Sequence, residues 1–194
     1  MRTNLQDWIL TETRGCETVV EFGAGSFRRL EGVHPSVKRR VGIEISQVYI
    51  DASLDMKNTL KIKGDMRKFE NLIADTYYDP LLRKDSPMNL HDCAMFIDSL
   101  EHLTKEDAID LMSRVIAKFN KVILMIPEGN HPQTTDVTSH GQHEYQTHHS
   151  TWFEKDIRAM GFEDVIVDEY FHKGAVGKAD GCIFATWEKN DQAN

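Results

Sequence analysis

Short apolar runs alternate with longer amphipathic stretches along this chain. The runs are rich in β-branched and aromatic residues, as buried strands are, and the stretches between them mostly repeat apolar residues at helical spacing. This alternation is typical of β-α units that build a mostly parallel sheet. We predict seven strands, at residues 18–22, 40–45, 60–63, 93–97, 121–126, 164–170 and 181–187.

The helix that follows the fourth strand has the clearest boundaries. Thr104 is predicted as its N-cap, with acidic residues in the first turn. Its buried stripe is predicted to be Ile109, Leu111, Met112, Val115 and Ile116. Ser46 is predicted to cap a helix over residues 47–56, and a glycine-containing loop between the last two strands allows them to form an antiparallel pair at one edge.

Length and charge narrow the class of protein. A chain of 194 residues supports one well-buried core, so residues 1–194 are predicted to form a single domain with a short amino-terminal segment, 1–17. The 31 acidic residues outnumber the 23 basic ones, and the basic residues are scattered. Nucleic acid is therefore not the expected partner, because phosphate binding draws on clustered basic residues.

Cysteine usage and hydropathy indicate the compartment. The three cysteines are widely spaced, with no CxxC pair, and no secretory leader is apparent. No apolar run approaches the length of about 20 residues that spans a bilayer. We expect a cytoplasmic protein with no membrane partner, acting as a monomer or a homodimer.

Glycines follow the first strand, where the chain turns toward a helix. Gly23 and Gly25 stand directly after Glu21 and Phe22, and glycines there let backbone amides approach a ligand. Glu44 ends the second strand nineteen residues after Gly25, where a carboxylate can accept both hydroxyls of a ribose. Two classes of nucleoside cofactor share this arrangement. A dinucleotide site requires a further glycine at the position of Arg28, which weakens a nicotinamide oxidoreductase as the function.

Four motifs follow one another along the chain, at residues 21–27, 41–45, 64–66 and 92–103. Together they resemble the class I S-adenosylmethionine-dependent methyltransferase superfamily. The resemblance covers residues 18 to about 187 and implies a three-layer, Rossmann-like methyltransferase fold whose seven-stranded sheet is mostly parallel with an antiparallel last strand. Phe27 departs from the pattern, because many members carry a glycine there. The resemblance implies that S-adenosylmethionine is held by Glu21, Gly23, Gly25, Glu44, Ile45, Asp65, Met66 and Asp98.

The fourth motif, Asp92 to Leu103, also supplies candidates for proton transfer. Asp98 and His102 follow the fourth strand on the side where the methyl group is expected. His149, in a later loop, is the third catalytic candidate. His102 also has a structural alternative, since the Glu-His-Leu ending of this motif more often supports structure or cofactor than catalysis.

The segment 128–150 is polar, aperiodic and unusually rich in histidine. Its histidines are His131, His140, His143, His148 and His149, which at this density can ligate a divalent metal. Their spacing fits no established ligand pattern, and the stretch 143–152 resembles the region that closes over the acceptor pocket in small uncharacterised bacterial and archaeal members. We therefore predict an acceptor-side loop and no metal site.

Methyl transfer to an oxygen or nitrogen of a small-molecule acceptor is the expected function. A nucleic-acid or protein methyltransferase is an alternative, although Asp98-Ser99-Leu100-Glu101 stands where a motif of the Asn/Asp-Pro-Pro-Tyr type would hold a flipped base. A non-catalytic, regulatory S-adenosylmethionine-binding protein is a further alternative, because methyl transfer requires no invariant nucleophile on the enzyme.

Overall fold

The structure, a computed structural model, describes residues 3–75, 92–133, 144–169, 171 and 181–189. Seven strands form one sheet. They are β1 (Thr18–Phe22), β2 (Arg39–Glu44), β3 (Thr59–Lys63), β4 (Cys93–Ile97), β5 (Lys121–Pro127), β6 (Asp164–Asp168) and β7 (Cys182–Glu188).

The strands lie in the order β3-β2-β1-β4-β5-β7-β6. The first five are parallel, and β7 inserts antiparallel between β5 and β6. This confirms the predicted mostly parallel seven-stranded sheet with an antiparallel last strand. Strands β2 and β3 lie on one side of β1, and β4 and β5 lie on the other. The strand order therefore switches between β1 and β4, and open sheets of this kind bind ligands in the crevice at such a point.

Six α-helices and three 3-10 turns join the described strands. The α-helices are α1 (Leu5–Glu12), α2 (Arg28–Glu31), α3 (Gln47–Ala52), α4 (Phe69–Asp75), α5 (Lys105–Lys118) and α6 (Glu154–Ala159). The 3-10 turns are Met66–Lys68, Leu100–His102 and Glu144–Gln146. No helix in the described part of the chain is long and apolar enough to cross a membrane.

Two apolar cores, one on each face of the sheet, make the molecule three-layered. On one face, α4, α5 and α6 pack over a cluster that includes Phe22, Phe96 and Phe119, and the rings of Phe22 and Phe96 stack with centroids 4.5 Å apart. On the other face, α1 and α2 bury Ile9 and Leu30. Both faces of the central strands are covered, which explains why β1, β4 and β5 are almost continuously apolar.

Two details of the helices differ from the sequence prediction. Ile109 is 46% exposed, and Ala108 is buried in its place beside Leu111, Met112 and Val115. Ser46 occupies the N-cap position of α3, but its side chain makes no capping bond. Thr104 caps α5 as predicted, its hydroxyl accepting from the amide of Asp107 at 3.2 Å.

Gly42, in the middle of β2, lies against the core on the face covered by α1 and α2, here called the second core. Its surroundings show how tightly this core is packed. A Cβ added there would lie 2.4 Å from Cε1 of Phe27 and 2.9 Å from the Cβ of Ala24. Phe27 is fully buried, so its ring has no open space to move into. We expect Gly42→Ala to lower the free energy of unfolding by about 1–3 kcal/mol, the usual cost of overpacking.

The matched variant is Phe27→Leu, which shortens the side chain that obstructs the added methyl group. In urea denaturation, the double variant is expected to lose at least about 0.5 kcal/mol less than the sum of the two single losses, because the residues are in contact. Additive losses, or an unchanged Gly42→Ala variant, would contradict the packing described.

Candidate functional site

The loop after β1 is shaped by residues with left-handed backbone conformation. Gly23 has φ of +71° and Gly25 has φ of +52°. A Cβ on Gly23 would lie 2.7 Å from the Cβ of Ser99, so this position accepts only glycine on two independent grounds. The amides of Gly23 and Ala24 both donate to the carbonyl of Ile43, which holds the loop against the end of β2.

Phe27 occupies a position at which the first motif often has a glycine. It adopts φ of +64°, the conformation that a glycine would adopt without strain. For a residue with a Cβ this conformation costs about 1–2 kcal/mol. The ring is fully buried against the second core, and the burial of a phenylalanine offsets a cost of that size.

Glu44 joins the loops that follow β1 and β2. One carboxylate oxygen accepts the amide of Gly25 at 2.7 Å, and the other accepts the amide of Ser46 at 2.8 Å. The residue is 6% exposed. A carboxylate has about four acceptor directions, and these two amides use two of them.

Asp65, after β3, is held by a cation that the sequence analysis did not identify. The guanidinium of Arg67 donates to both oxygens of Asp65, at 2.6–3.0 Å, and also to Asp107 of α5 at 2.8 Å. The hydrogen bonds from Arg67 keep the pKa of Asp65 below its usual value. Asp107 is forty positions further along the chain, and no local pattern marks such a pair.

Asp98 follows β4 directly and has a strained backbone conformation. Its φ is +48°, and its amide donates to the carbonyl of Met125 in β5 at 3.0 Å. Such conformations in a residue with a side chain occur most often at functional sites, where the surrounding structure maintains them. The next residue, Ser99, is buried, and its hydroxyl is without a hydrogen-bond partner within the described chain.

The segment that contains His148 and His149 lies against the 3-10 turn Leu100–His102. The carbonyl of Glu101 accepts the amides of His149 and Ser150, at 2.9 and 3.2 Å. These bonds bring His148 beside His102, with ring centroids 4.9 Å apart. His140 and His143 lie outside the described residues.

Glu101, in the 3-10 turn Leu100–His102, has a deeply buried carboxyl group. It is 2% exposed, and neither of its carboxylate oxygens has a hydrogen-bond partner among the described residues. Burial, followed by the negative charge of Asp98, raises the pKa of Glu101 well above its usual value. Burial and the neighbouring His148 lower the pKa of His102 to about 4, so its ring is neutral at pH 7.

One cavity of about 670 Å³ connects these elements. This volume is within the usual range for small-molecule sites. Every residue predicted for cofactor binding or catalysis lines it, namely Glu21, Gly23, Gly25, Glu44, Ile45, Asp65, Met66, Asp98, His102 and His149.

The cavity also has lining residues that the sequence analysis did not assign to a site, among them Arg28, Arg29, Tyr49, Arg67, Asp107 and Gln146. The three arginines of this cavity are exposed, whereas its acidic residues Glu21 and Glu44 are buried. Tyr145 also lines the cavity. Trp152 belongs to the core, and Trp8 packs edge-on against Phe184.

Solved structures with the same architecture identify the fold. The chain matches a SAM-dependent methyltransferase from Archaeoglobus fulgidus at 16% identity, with 94% of this chain and 91% of that chain covered and a TM-score of 0.58. It matches the N-methyltransferase NodS from Bradyrhizobium japonicum WM9 at 11% identity, with 96% and 93% covered and a TM-score of 0.61. The chain has the methyltransferase fold.

A third match is the small RNA methyltransferase HEN1, at 15% identity and a TM-score of 0.56. The match covers 95% of this chain and 27% of that chain. No model of a known protein family matches the sequence, and no curated protein does either. The predicted fold is therefore confirmed by structure, while the roles of the individual site residues stay predictions.

Glu21, at the end of β1, provides a test of the electrostatics of the cavity. It is 1% exposed, and one of its carboxylate oxygens accepts no hydrogen bond from any residue that the structure describes. Burial raises its pKa well above the usual value, a shift that the positive charge of Arg29 reduces and the negative charge of Glu44 increases.

Because the folded-state pKa is raised, the unfolded chain releases the proton of Glu21 first as the pH rises. The folded state therefore loses stability above the unfolded value of about 4.5. We expect Glu21→Gln to be more stable than the wild type at pH 8, and the difference to shrink toward pH 5. Urea denaturation at both pH values measures it. Glu163→Gln, at an exposed carboxylate, is the control and should show no such pH dependence. An equal effect of Glu21→Gln at both pH values would contradict the raised pKa.

Proposed function

We propose that this protein transfers a methyl group from S-adenosylmethionine to an oxygen or nitrogen of a small-molecule acceptor. The observation that carries the proposal is a cavity lined by the strand-end residues predicted for the cofactor and also by Tyr145, Gln146 and His149. The fold alone does not determine the reaction, because one fold supports many activities. The chemistry of the lining residues has to support it.

The residues of the cavity fit the functional groups of this cofactor. Glu44 can accept hydrogen bonds from two ribose hydroxyls, and Asp65 can accept one from the adenine amino group. Ile45 and Met66 offer apolar surface to the adenine ring. The unpartnered oxygen of Glu21 suits the amino acid part of the cofactor, whose ammonium group is a cation. A cationic ligand would also favour the ionised form of Glu21, which burial disfavours.

The sulfonium of the bound cofactor supplies an electrophilic methyl carbon, so the protein has mainly to align an acceptor with it. A lone pair of the acceptor attacks that carbon while the electrons of the carbon–sulfur bond move to sulfur, which leaves the neutral thioether product. The proton of the acceptor must pass to a base. Asp98 lines the cavity beside the end of β4 and is the base that we favour.

His102 and His149 are weaker candidates for the base. The pKa of His102, lowered to about 4, makes its ring a poor proton acceptor at neutral pH. His149 lines the cavity from the loop side, where its backbone amide is fixed by Glu101. We assign His149 and Tyr145 to contacts with the acceptor.

A small acceptor is favoured over a nucleic acid by charge. The chain has a net charge of -8, and carboxylates outnumber guanidinium groups around the cavity. A polyphosphate backbone approaching this surface would be repelled. The match to a small RNA methyltransferase keeps a nucleic acid as an alternative for the assays below, together with a protein acceptor.

Calorimetric titration with S-adenosylmethionine and with S-adenosylhomocysteine tests cofactor binding. We expect micromolar affinity for both and none for NAD. Glu44→Ala removes charge-assisted hydrogen bonds worth about 1.5–3 kcal/mol, so it should weaken binding at least about tenfold.

Glu163→Ala, at an exposed carboxylate near β6, is the matched control and should bind as the wild type does. The circular dichroism of the Glu44→Ala variant shows whether the fold survives the loss of its two amide contacts. Absence of binding to either sulfur nucleoside, with the fold intact, would refute the proposed cofactor.

Formation of S-adenosylhomocysteine in the presence of a panel of small alcohols, phenols and amines tests turnover. We expect acceptor-dependent product formation for at least one class. Asp98→Asn should lower kcat about 100-fold or more, as the loss of a general base does, with a smaller effect on the KM for S-adenosylmethionine.

The alternatives are separated in the same assay. Product formed only with RNA, DNA or protein added, and suppressed by salt in the first two cases, would replace the small acceptor. Cofactor binding without turnover on any acceptor would indicate a regulatory binding protein.

A further inference from the structure

We propose that Glu101, His102 and His148 form a binding site for one divalent first-row transition-metal ion at the acceptor side of the cavity. One potential ligand atom from each residue lies within 4.8 Å of the other two. Ligand atoms about 2.1 Å from a metal lie at most about 4.2 Å apart, so the three side chains need to close by only some tenths of an ångström.

The hydrogen bonds of the two imidazoles prepare them to be ligands. Nδ1 of His102 lies 3.2 Å from the carbonyl oxygen of Thr147, and Nδ1 of His148 lies 2.6 Å from that of His131. A carbonyl can only accept, so Nδ1 is the donor in both rings, and in the neutral form of either ring the lone pair is on Nε2. Metal-binding histidines commonly have this arrangement, in which one ring nitrogen donates to a backbone carbonyl and the other binds the ion.

Glu101 provides the second, independent observation. It is 2% exposed, and both of its carboxylate oxygens are without a hydrogen-bond partner in the described part of the chain. Buried carboxylates in proteins are normally paired or bound to a metal, because an isolated buried charge is costly. A cation held between Glu101 and the two histidines would supply the missing partner.

The ligand set indicates the class of ion. Two imidazoles and one carboxylate form the protein part of several catalytic zinc sites, and imidazole ligands suit zinc, iron and nickel, whereas calcium prefers oxygen ligands. Three protein ligands leave at least one coordination position open. His102 lines the cavity, so an open position can face an acceptor there.

This part of the inference rests on the proposed function: a metal at that wall would bind the oxygen or nitrogen of the acceptor and lower the pKa of a hydroxyl group, which assists attack on a methyl carbon. His102 would then be a ligand and not a base.

The proposal differs from the sequence-based expectation of no metal site, which followed from residue spacing. Glu101 and His148 are 47 positions apart in the sequence. The contact between the loop that contains His148 and the 3-10 turn that contains Glu101 brings them together.

The test is titration of the purified, chelator-treated full-length protein with Co²⁺, followed by its visible absorption, and with Zn²⁺ and Mn²⁺ by calorimetry. We expect one ion per chain, with the d–d absorption of nitrogen- and oxygen-coordinated cobalt and much weaker binding of Ca²⁺. Glu101→Gln and His148→Ala should each weaken Co²⁺ binding at least about 100-fold, since they remove a direct ligand.

His34→Ala is the matched control, because its ring bonds to Ser36 in another part of the molecule. It should bind Co²⁺ as the wild type does. Glu101→Gln keeps the shape of the side chain, and thermal denaturation without metal verifies that each variant is folded. Failure of the wild type to bind one ion, or equal binding by Glu101→Gln and His148→Ala, would overturn the proposal.

The titrations contain no S-adenosylmethionine, so their result is independent of the cofactor. Metal binding in a protein that does not bind S-adenosylmethionine would support the site and refute the proposed function. The reverse pattern would refute the metal site alone.

Discussion

The geometry of the cavity depends on the carboxylate of Glu44, which holds two loops at once. Its oxygens accept from the amides of Gly25 and Ser46, so the chain leaving β1 and the chain leaving β2 are fixed relative to each other. The link needs an ionised, nearly buried carboxylate, whose desolvation is offset by these charge-assisted bonds. The protein's own hydrogen bonds therefore fix these two loops, and a ligand hydroxyl would meet acceptors that are already oriented.

Residues with left-handed backbone conformation shape the chain around the cavity. Gly23, Phe27 and Asp98 all have positive φ values and lie at the ends of β1 and β4, on either side of the crevice in the sheet. Phe27 maintains its conformation through burial of its ring over Gly42, so packing in the second core supports the backbone at the cavity. A substitution at Gly42 would therefore affect the loop through Phe27.

The sequence predicts much of this structure because parallel strands end at one edge of a sheet. A list of residues that follow predicted strands is then also a list of neighbours, and this is why Glu21, Glu44, Asp65 and Asp98 line one cavity. Contacts that depend on side chains from distant elements could not be found in this way. Arg67 reaches Asp107 across forty positions, and no periodicity predicts the pair. The loop with His148 is aperiodic, so its position beside Glu101 follows only from backbone bonds that the folded chain makes.

Two buried carboxyl groups with unpartnered oxygens, Glu21 and Glu101, connect the two proposals. In the ligand-free protein each favours its protonated form, because burial raises both pKa values. A neutral, well-packed apolar side chain would be less costly at either position, so stability alone gives no reason for a carboxyl group. A cation changes this balance, since the ammonium of a bound amino acid moiety suits Glu21 and a metal ion suits Glu101 beside two imidazoles. The same reasoning separates His102 from Asp98: a ring whose lone pair bound a metal could not accept a proton, which supports the proposal that Asp98 is the base.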